Sequence, residues 1–211
     1  MATDFFNVTL TKLTSQGGRM NIRTIKRLSL QLATGCLFLG ILAGPALTQE
    51  VEKGKIPAEH LAVTFKQLAW KSPVWDVEEA LNQLKEDTKV LWVDTRPESF
   101  FSKGTVQGAI LLPYDKQGGA GNVLSKETLD KAISDAGLSK DSTKVIFFCQ
   151  GPECHRSYNA SFMATTAWGY KPENAIWFRA GYPLLFKAVQ EDAKLKRKAN
   201  KYLSDEGVKQ L

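Results

Sequence analysis

The chain has 211 residues, of which 43% are hydrophobic, and this is enough for one packed domain with extensions. Its net charge of +6 arises at the two ends, because residues 49–186 carry 16 basic and 17 acidic residues. The central part is therefore nearly neutral. A broad basic surface of the kind that binds nucleic acid is excluded, and we expect no nucleic-acid partner.

The first 48 residues have the order of a secretory signal. Arg23, Lys26 and Arg27 precede a mostly apolar run, and small residues follow it near Ala46. We predict that residues 1–48 are a signal peptide, with Met20 as an alternative start, and that the mature protein is periplasmic. The alternative is an uncleaved signal, which would be the only membrane contact, since residues 28–47 are long enough to span a bilayer.

The rest of the chain alternates between helical and strand patterns. An N-terminal arm is predicted for residues 49–76 and a basic C-terminal helix or tail for residues 189–211. Between them we predict helices at residues 77–84, 125–136 and 158–168, and buried strands at residues 90–93, 145–148 and 175–178. A short helix begins at Pro97, and another short strand ends near Pro113. The alternation favours an α/β fold with a parallel sheet.

Asp94 closes the first of these buried strands. A buried carboxylate needs a partner, and the candidates are Arg96, two residues later, and the amides of the loop. We predict that Asp94 and Arg96 form a structural pair.

The segment VIFFCQGPECHRS, residues 145–157, is the candidate for chemistry. Four apolar residues lead directly into Cys149, and a Gly/Pro loop then brings Cys154 and Arg156. A parallel strand ends where α/β sheets present their ligands, and the helix expected after Arg156 directs its N-terminus at the thiols. These groups would stabilise a thiolate or a sulfur-borne anion.

Four further loop residues are candidates for binding the substrate or anion: Gly151, Glu153, His155 and Ser157. Glu153 lowers the positive potential of the loop, and His155 is either an exposed loop residue or a proton carrier. Cys149, Cys154 and His155 would supply only three metal ligands, and their spacing matches no zinc module. We therefore predict neither a metal nor a cofactor.

The order of these parts resembles the rhodanese-like family over residues 77–188. The segments that carry the resemblance are VLWVDTRPESFF, GTVQGAILLP, VIFFCQGPECHRSYNAS and WGYKPENAIWFRAGYP. The residues at matching places are Asp94, Arg96, Gly104, Gly108, Ala109, Pro113, Arg156, Ser157, Gly169, Tyr170 and Gly181. The resemblance implies a rhodanese-like α/β fold, with a central, mostly parallel sheet covered by helices on both faces. It also implies a cysteine that takes sulfane sulfur from a small donor as a persulfide and passes it to a thiol or protein acceptor.

The chain departs from the family pattern in two places. Thr105 stands where a histidine is usual, and six residues separate Cys149 from Arg156 where four are usual. The longer loop introduces Cys154, so either cysteine can be the nucleophile. We prefer Cys149, because the end of a buried strand fixes its position, whereas Cys154 depends on the shape of the loop.

Two other functions are open. In an oxidising compartment Cys149 and Cys154 are expected to form a disulfide, which suits a thiol–disulfide redox protein. The same disulfide suits a non-catalytic rhodanese-like binding module in which it only fixes the loop. A phosphatase is disfavoured, because phosphate-binding loops depend strictly on the number of amides and this loop has one residue too many.

Overall fold

The computed structural model describes residues 49–86, 88–119 and 121–211, so the predicted signal peptide lies outside the described residues. The strands are β1 (Val74–Trp75), β2 (Leu91–Asp94), β3 (Ile110–Leu111), β4 (Val145–Phe148) and β5 (Ala175–Phe178). The α-helices are α1 (Ala58–Leu61), α2 (Val77–Lys85), α3 (Glu98–Phe101), α4 (Lys126–Asp135), α5 (His155–Thr166), α6 (Gly181–Glu191), α7 (Ala193–Lys196) and α8 (Asp205–Lys209). Short 3-10 helices lie at Pro172–Asn174 and Ala199–Lys201.

The strands form one parallel sheet in the order β1-β5-β4-β2-β3, which confirms the predicted α/β fold. Strand β4 lies at the centre, with Phe147 paired to Val93 of β2 and to Trp177 of β5. Every residue of β2, β4 and β5 is buried. Such continuous apolar runs are expected when helices cover both faces of a parallel sheet.

Alternate strand residues enter different clusters on the two faces. On one face, Ile146 and Phe148 pack with residues of α2 and α6, including Leu81 and Leu185. On the other face, Val145 and Phe147 pack with residues of α4 and α5. This alternation follows from the two-residue period of a strand.

Residues of the N-terminal arm, including Val51, Ile56 and Leu68, pack in one cluster with Tyr158 of α5 and Trp177 of β5. The backbone of Val51 bonds in both directions to the Asn159 side chain of α5, at 2.9 and 2.8 Å. The arm ends in β1, which the sequence analysis missed, because Val74 and Trp75 are too few to show a strand period.

The C-terminal segment is not a single helix. After α6, Asp192 caps α7 by accepting bonds from the Lys194 and Leu195 N–H groups, and a 3-10 turn and α8 follow. Its lysines lie at the surface, but Leu203 is completely buried and pairs with Val106. The buried apolar residues therefore make this segment part of the domain. In residues 49–86, 88–119 and 121–211 no helix is long and apolar enough to cross a membrane.

Candidate active site

The site lies at the carboxyl edge of the sheet, where β2, β4 and β5 end side by side. Asp94 closes β2, Cys149 follows β4, and Gly181 begins α6 three residues after β5. Because the strands are parallel, residues distant in sequence converge on this edge. The edge thus brings the cysteine loop next to the predicted Asp94–Arg96 pair.

Cys149 and Cys154 form the disulfide that the sequence analysis predicted, with their Cα atoms 6.1 Å apart. The two residues differ in exposure: Cys149 is only 1% exposed, whereas Cys154 is half-buried. The sulfur of Cys154 is therefore the one that an external reductant reaches more easily.

Helix α5 begins at His155, earlier than predicted, and Cys154 is its N-cap residue. A turn precedes the helix, in which the Cys154 N–H donates to the Gly151 carbonyl at 3.1 Å. Gly151 has a φ of +131°, which an L side chain rarely adopts. The Gly/Pro turn, not the charged residues after it, therefore determines where the helix starts, and it places a cysteine at the positive end of the helix dipole.

The start of α6 packs against the backbone of the cysteine loop. The Tyr182 N–H donates to the Cys149 carbonyl at 3.0 Å. A Cβ atom on Gly181 would lie 2.4 Å from the Cys149 carbonyl oxygen and 2.7 Å from the Gly151 nitrogen. Only glycine leaves room for the close approach of α6 to the backbone of the loop, so Gly181 helps to determine the position of Cys149.

Asp94 and Arg96 form the predicted pair, with Arg96 Nη2 2.6 Å from Asp94 Oδ2. Both side chains are almost completely buried. The Thr105 hydroxyl donates to the same carboxylate oxygen at 2.7 Å, so the residue that stands where a histidine is usual still makes a polar contact with the pair. Arg96 Nη1 donates to Gln150 Oε1 at 3.1 Å, which connects the pair to the cysteine loop.

Arg156 has a partner that the sequence did not reveal. Its Nη2 lies 3.2 Å from Asp115 Oδ2, and both side chains are about one third exposed. The guanidinium still lines the space beside the disulfide. Asp115 neutralises part of the Arg156 charge, so Arg156 attracts a bound anion less strongly than the sequence pattern indicates.

Ser157 is not in the binding space, which corrects the sequence-based assignment. Its hydroxyl accepts a bond from the Trp177 ring N–H at 3.2 Å and is buried against the sheet. The early start of α5 turns Ser157 inward. His155, in contrast, lines the site although it is 6% exposed, and its burial together with the Arg156 charge lowers its pKa below the ordinary value.

A cavity of about 800 Å³ opens above the disulfide. Every residue of the loop from Cys149 to Arg156 lines it, including the predicted Gly151 and Glu153. The remaining lining residues are Lys53, Gly54, Leu61, Pro97 and Phe100. The arm thus forms one wall and α3 forms part of another, so the cavity presents both apolar and charged groups to a ligand.

Three contributors to the site had no local signal in the sequence. Asp115 lies 41 residues before its partner Arg156, Lys53 is in an arm without a motif, and Gln150 is one ordinary loop residue. The role of each residue depends on the fold, which brings these segments together.

The chain is similar to known proteins at the level of one domain family. The model of the rhodanese-like domain family matches residues 76–184. A crystal structure of a Bacillus halodurans protein is 22% identical, covers 54% of this chain and 71% of its own, and has a TM-score of 0.41. The solution structure of a rhodanese-like domain from an Anabaena protein is 18% identical, with coverages of 56% and 75% and a TM-score of 0.38. No curated protein matches the chain.

Proposed function

The chain belongs to the rhodanese-like domain family, and from this premise we propose that it is an exported sulfurtransferase that carries sulfane sulfur on Cys149. The observation that carries the proposal is the position of Cys149 at the end of the central strand, beneath an open cavity. Family membership alone fits either a sulfurtransferase-type domain or a binding module. The site geometry is what favours chemistry.

A reactive thiolate at this place would have several stabilising groups. Helix α5 has no side-chain cap among the described residues, so the N–H groups of its first turn stay available to an anion. Arg156 adds positive charge on the same side, and the backbone around Cys149 is fixed by Tyr182. Groups positioned in advance stabilise charge in the transition state without reorganisation.

The proposed transfer begins with reduction of the disulfide by a dithiol. The Cys149 thiolate then attacks the outer sulfur of a donor such as thiosulfate, the sulfur–sulfur bond of the donor breaks, and sulfite leaves with its electron pair. The product is a Cys149 persulfide. An acceptor thiolate attacks the outer sulfur of that persulfide, takes it away as a new persulfide and regenerates the Cys149 thiolate.

Intact mass and sulfite release test this proposal. Reduced protein, freed of reductant, should release sulfite from thiosulfate, and a Cys154→Ala variant, which has no second thiol in the loop, should gain the mass of one sulfur atom from thiosulfate or mercaptopyruvate. Cys149→Ala should do neither. Arg156→Ala should slow sulfite release by no more than about 100-fold, the lower end of the usual effect of losing one hydrogen-bond donor to a developing anion, because Asp115 neutralises part of the Arg156 charge. The proposal is wrong if neither donor loads sulfur on the reduced protein.

We also propose that the domain acts in the periplasm. The support is the basic, apolar and small-residue order of residues 23–48, followed directly by an arm whose Val51 is bonded to α5. N-terminal sequencing of the protein from the periplasm of a Gram-negative host should find a start between Leu47 and Glu50. Recovery of an intact leader from the cytosol would contradict the proposed location.

The second candidate function is a non-catalytic binding module. Its supporting observation is that the disulfide occupies Cys149, which is itself 1% exposed. In that case the disulfide only fixes the surface of the loop, and no form of the protein, oxidised or reduced, should accept sulfur from thiosulfate or mercaptopyruvate.

A further inference from the structure

We propose that Cys154 is a resolving cysteine, which attacks the Cys149 persulfide, releases its outer sulfur as hydrosulfide and leaves the disulfide seen in the structure. The inference rests on the proposed function and adds a second outcome to it. The protein would not only hand sulfur to an acceptor but also reduce sulfane sulfur to sulfide.

The first argument concerns which sulfur atom each attacker can reach. In a Cys149 persulfide the inner sulfur is the cysteine's own Sγ, and the outer sulfur points away from it. The observed disulfide joins Cys154 Sγ to this inner atom, so the loop already brings Cys154 to the position that resolution requires. An external thiol meets a Cys149 residue that is 1% exposed, which leaves only the outer sulfur open to it.

The second argument concerns the reactivity of Cys154. It is the N-cap residue of α5, a helix of 12 residues, and a thiol at such a place forms the thiolate more readily. Hydrogen sulfide is a stronger acid than a cysteine thiol, so hydrosulfide is the better leaving group when Cys154 attacks the inner sulfur. Position and leaving group therefore favour the same reaction.

The reaction balances without an outside oxidant. The Cys154 thiolate attacks Cys149 Sγ, the bond between the inner and outer sulfurs breaks, and the outer sulfur leaves with the electron pair and the persulfide proton as hydrosulfide. The two cysteines lose two electrons together, and the sulfane sulfur gains them. Each new turnover then needs a dithiol reductant, whose thiolate attacks the disulfide most easily at the half-buried Cys154 sulfur and displaces the Cys149 thiolate.

The test is a single turnover with the full chain. Cys36→Ser is present in every form, because the chain has three cysteines and only the loop pair should react. Reduced protein, freed of reductant, is mixed with thiosulfate, and in parallel with mercaptopyruvate. Sulfite or pyruvate reports loading, sulfide is measured separately, and intact mass distinguishes persulfide from disulfide.

We expect one sulfide per protein from the parent protein, at a rate that does not change with protein concentration, and a final mass that corresponds to the disulfide. Cys154→Ser and Cys154→Ala should both load sulfur and keep it, so that sulfide release is lost while sulfite or pyruvate release remains. Cys149→Ser should release neither.

The outcomes that contradict the inference are separable from failure of the proposed function. If the parent protein keeps a stable persulfide beside a free Cys154 thiol, the sulfurtransferase stands and the resolving role is refuted. If Cys149→Ser loads sulfur and Cys154→Ser does not, the assigned roles are reversed and the inference is wrong. If no form loads from either donor, the proposed function fails and the resolving role fails with it.

Discussion

Replacing Gly181 by alanine should destabilise the domain and displace the cysteine loop. Gly181 has a φ of +65°, and the left-handed region costs an L residue roughly 1–2 kcal/mol. The new Cβ would also lie 2.4 Å from the Cys149 carbonyl oxygen, where contacts below 3.0 Å are essentially never found. The neighbouring atoms are backbone, so the loop or α6 must move by more than half an ångström.

The magnitude follows from three contributions: backbone strain, overpacking and the loss of one hydrogen bond. Overpacking of this kind costs about 1–3 kcal/mol, and loss of the bond from the Tyr182 N–H to Cys149 costs about 1 kcal/mol more. Together with the backbone strain, Gly181→Ala should lose about 3–6 kcal/mol. Gly137 is the matched control, because its φ is also +65° but a Cβ there meets no atom within 4 Å. Gly137→Ala should lose only the roughly 1–2 kcal/mol of strain.

Urea unfolding of the oxidised proteins measures both values, and sulfite release by the reduced proteins measures the effect on the loop. Gly181→Ala should be at least about 2 kcal/mol less stable than Gly137→Ala, and it alone should lose sulfur loading. Equal stabilities for the two variants would refute the argument that the contact of α6 with the loop holds Cys149 in place.

Thr105→Val removes the 2.7 Å donor to Asp94 with little change of shape, so urea unfolding should show a loss of about 1.5–3 kcal/mol. The control Thr166→Val, at an exposed residue of α5, loses only a part-buried bond to the Phe162 carbonyl and should change stability by less than about 0.5 kcal/mol; equal losses would contradict the role of the Thr105 hydroxyl. Burial lowers the pKa of both histidines, His60 and His155, and the folded state therefore binds fewer protons than the unfolded state below about pH 6.5. Unfolding free energy should fall as the pH drops from 7 to 5.5, by at most about 1.4 kcal/mol per pH unit for each histidine, and a double glutamine variant should lose this slope.

The sequence predicted the parts of the fold whose signal is local and strong. The β4 and β5 strands were placed at their observed residues, since their buried apolar runs admit few other interpretations. The start of α5 was placed too late, because the turn from Gly151 to Cys154 has no periodic pattern. The C-terminal segment was predicted as a basic helix or tail, because its many lysines are a stronger signal than the few apolar residues, such as Leu203, that pack on the domain.

For the site, the sequence predicted the cysteine pair but not the partner or the direction of every side chain around it. Cys149 and Cys154 were expected to pair, and they do. Ser157 was assigned to anion binding from its place in the motif, yet the direction of its side chain depends on where α5 begins. The contact between Arg156 and Asp115 depends on the packing of two loops, and no spacing rule reports that.

The first half of the cysteine loop makes more hydrogen bonds with the rest of the domain than the second half. The two halves should therefore respond differently when the disulfide is reduced. Its first half is tied to the domain by bonds to Gln150 from Arg96 and to the Cys149 carbonyl from Tyr182.

Neither bond involves a sulfur atom, so reduction leaves both intact and Cys149 stays at the end of β4. Cys154 is held by one turn bond to Gly151 and by its place at the start of α5. Cys154 must leave the Cys149 sulfur so that the donor can approach, and it must return afterwards to attack the persulfide. These two steps require that Cys149 stays in place while Cys154, on the less constrained half of the loop, can move.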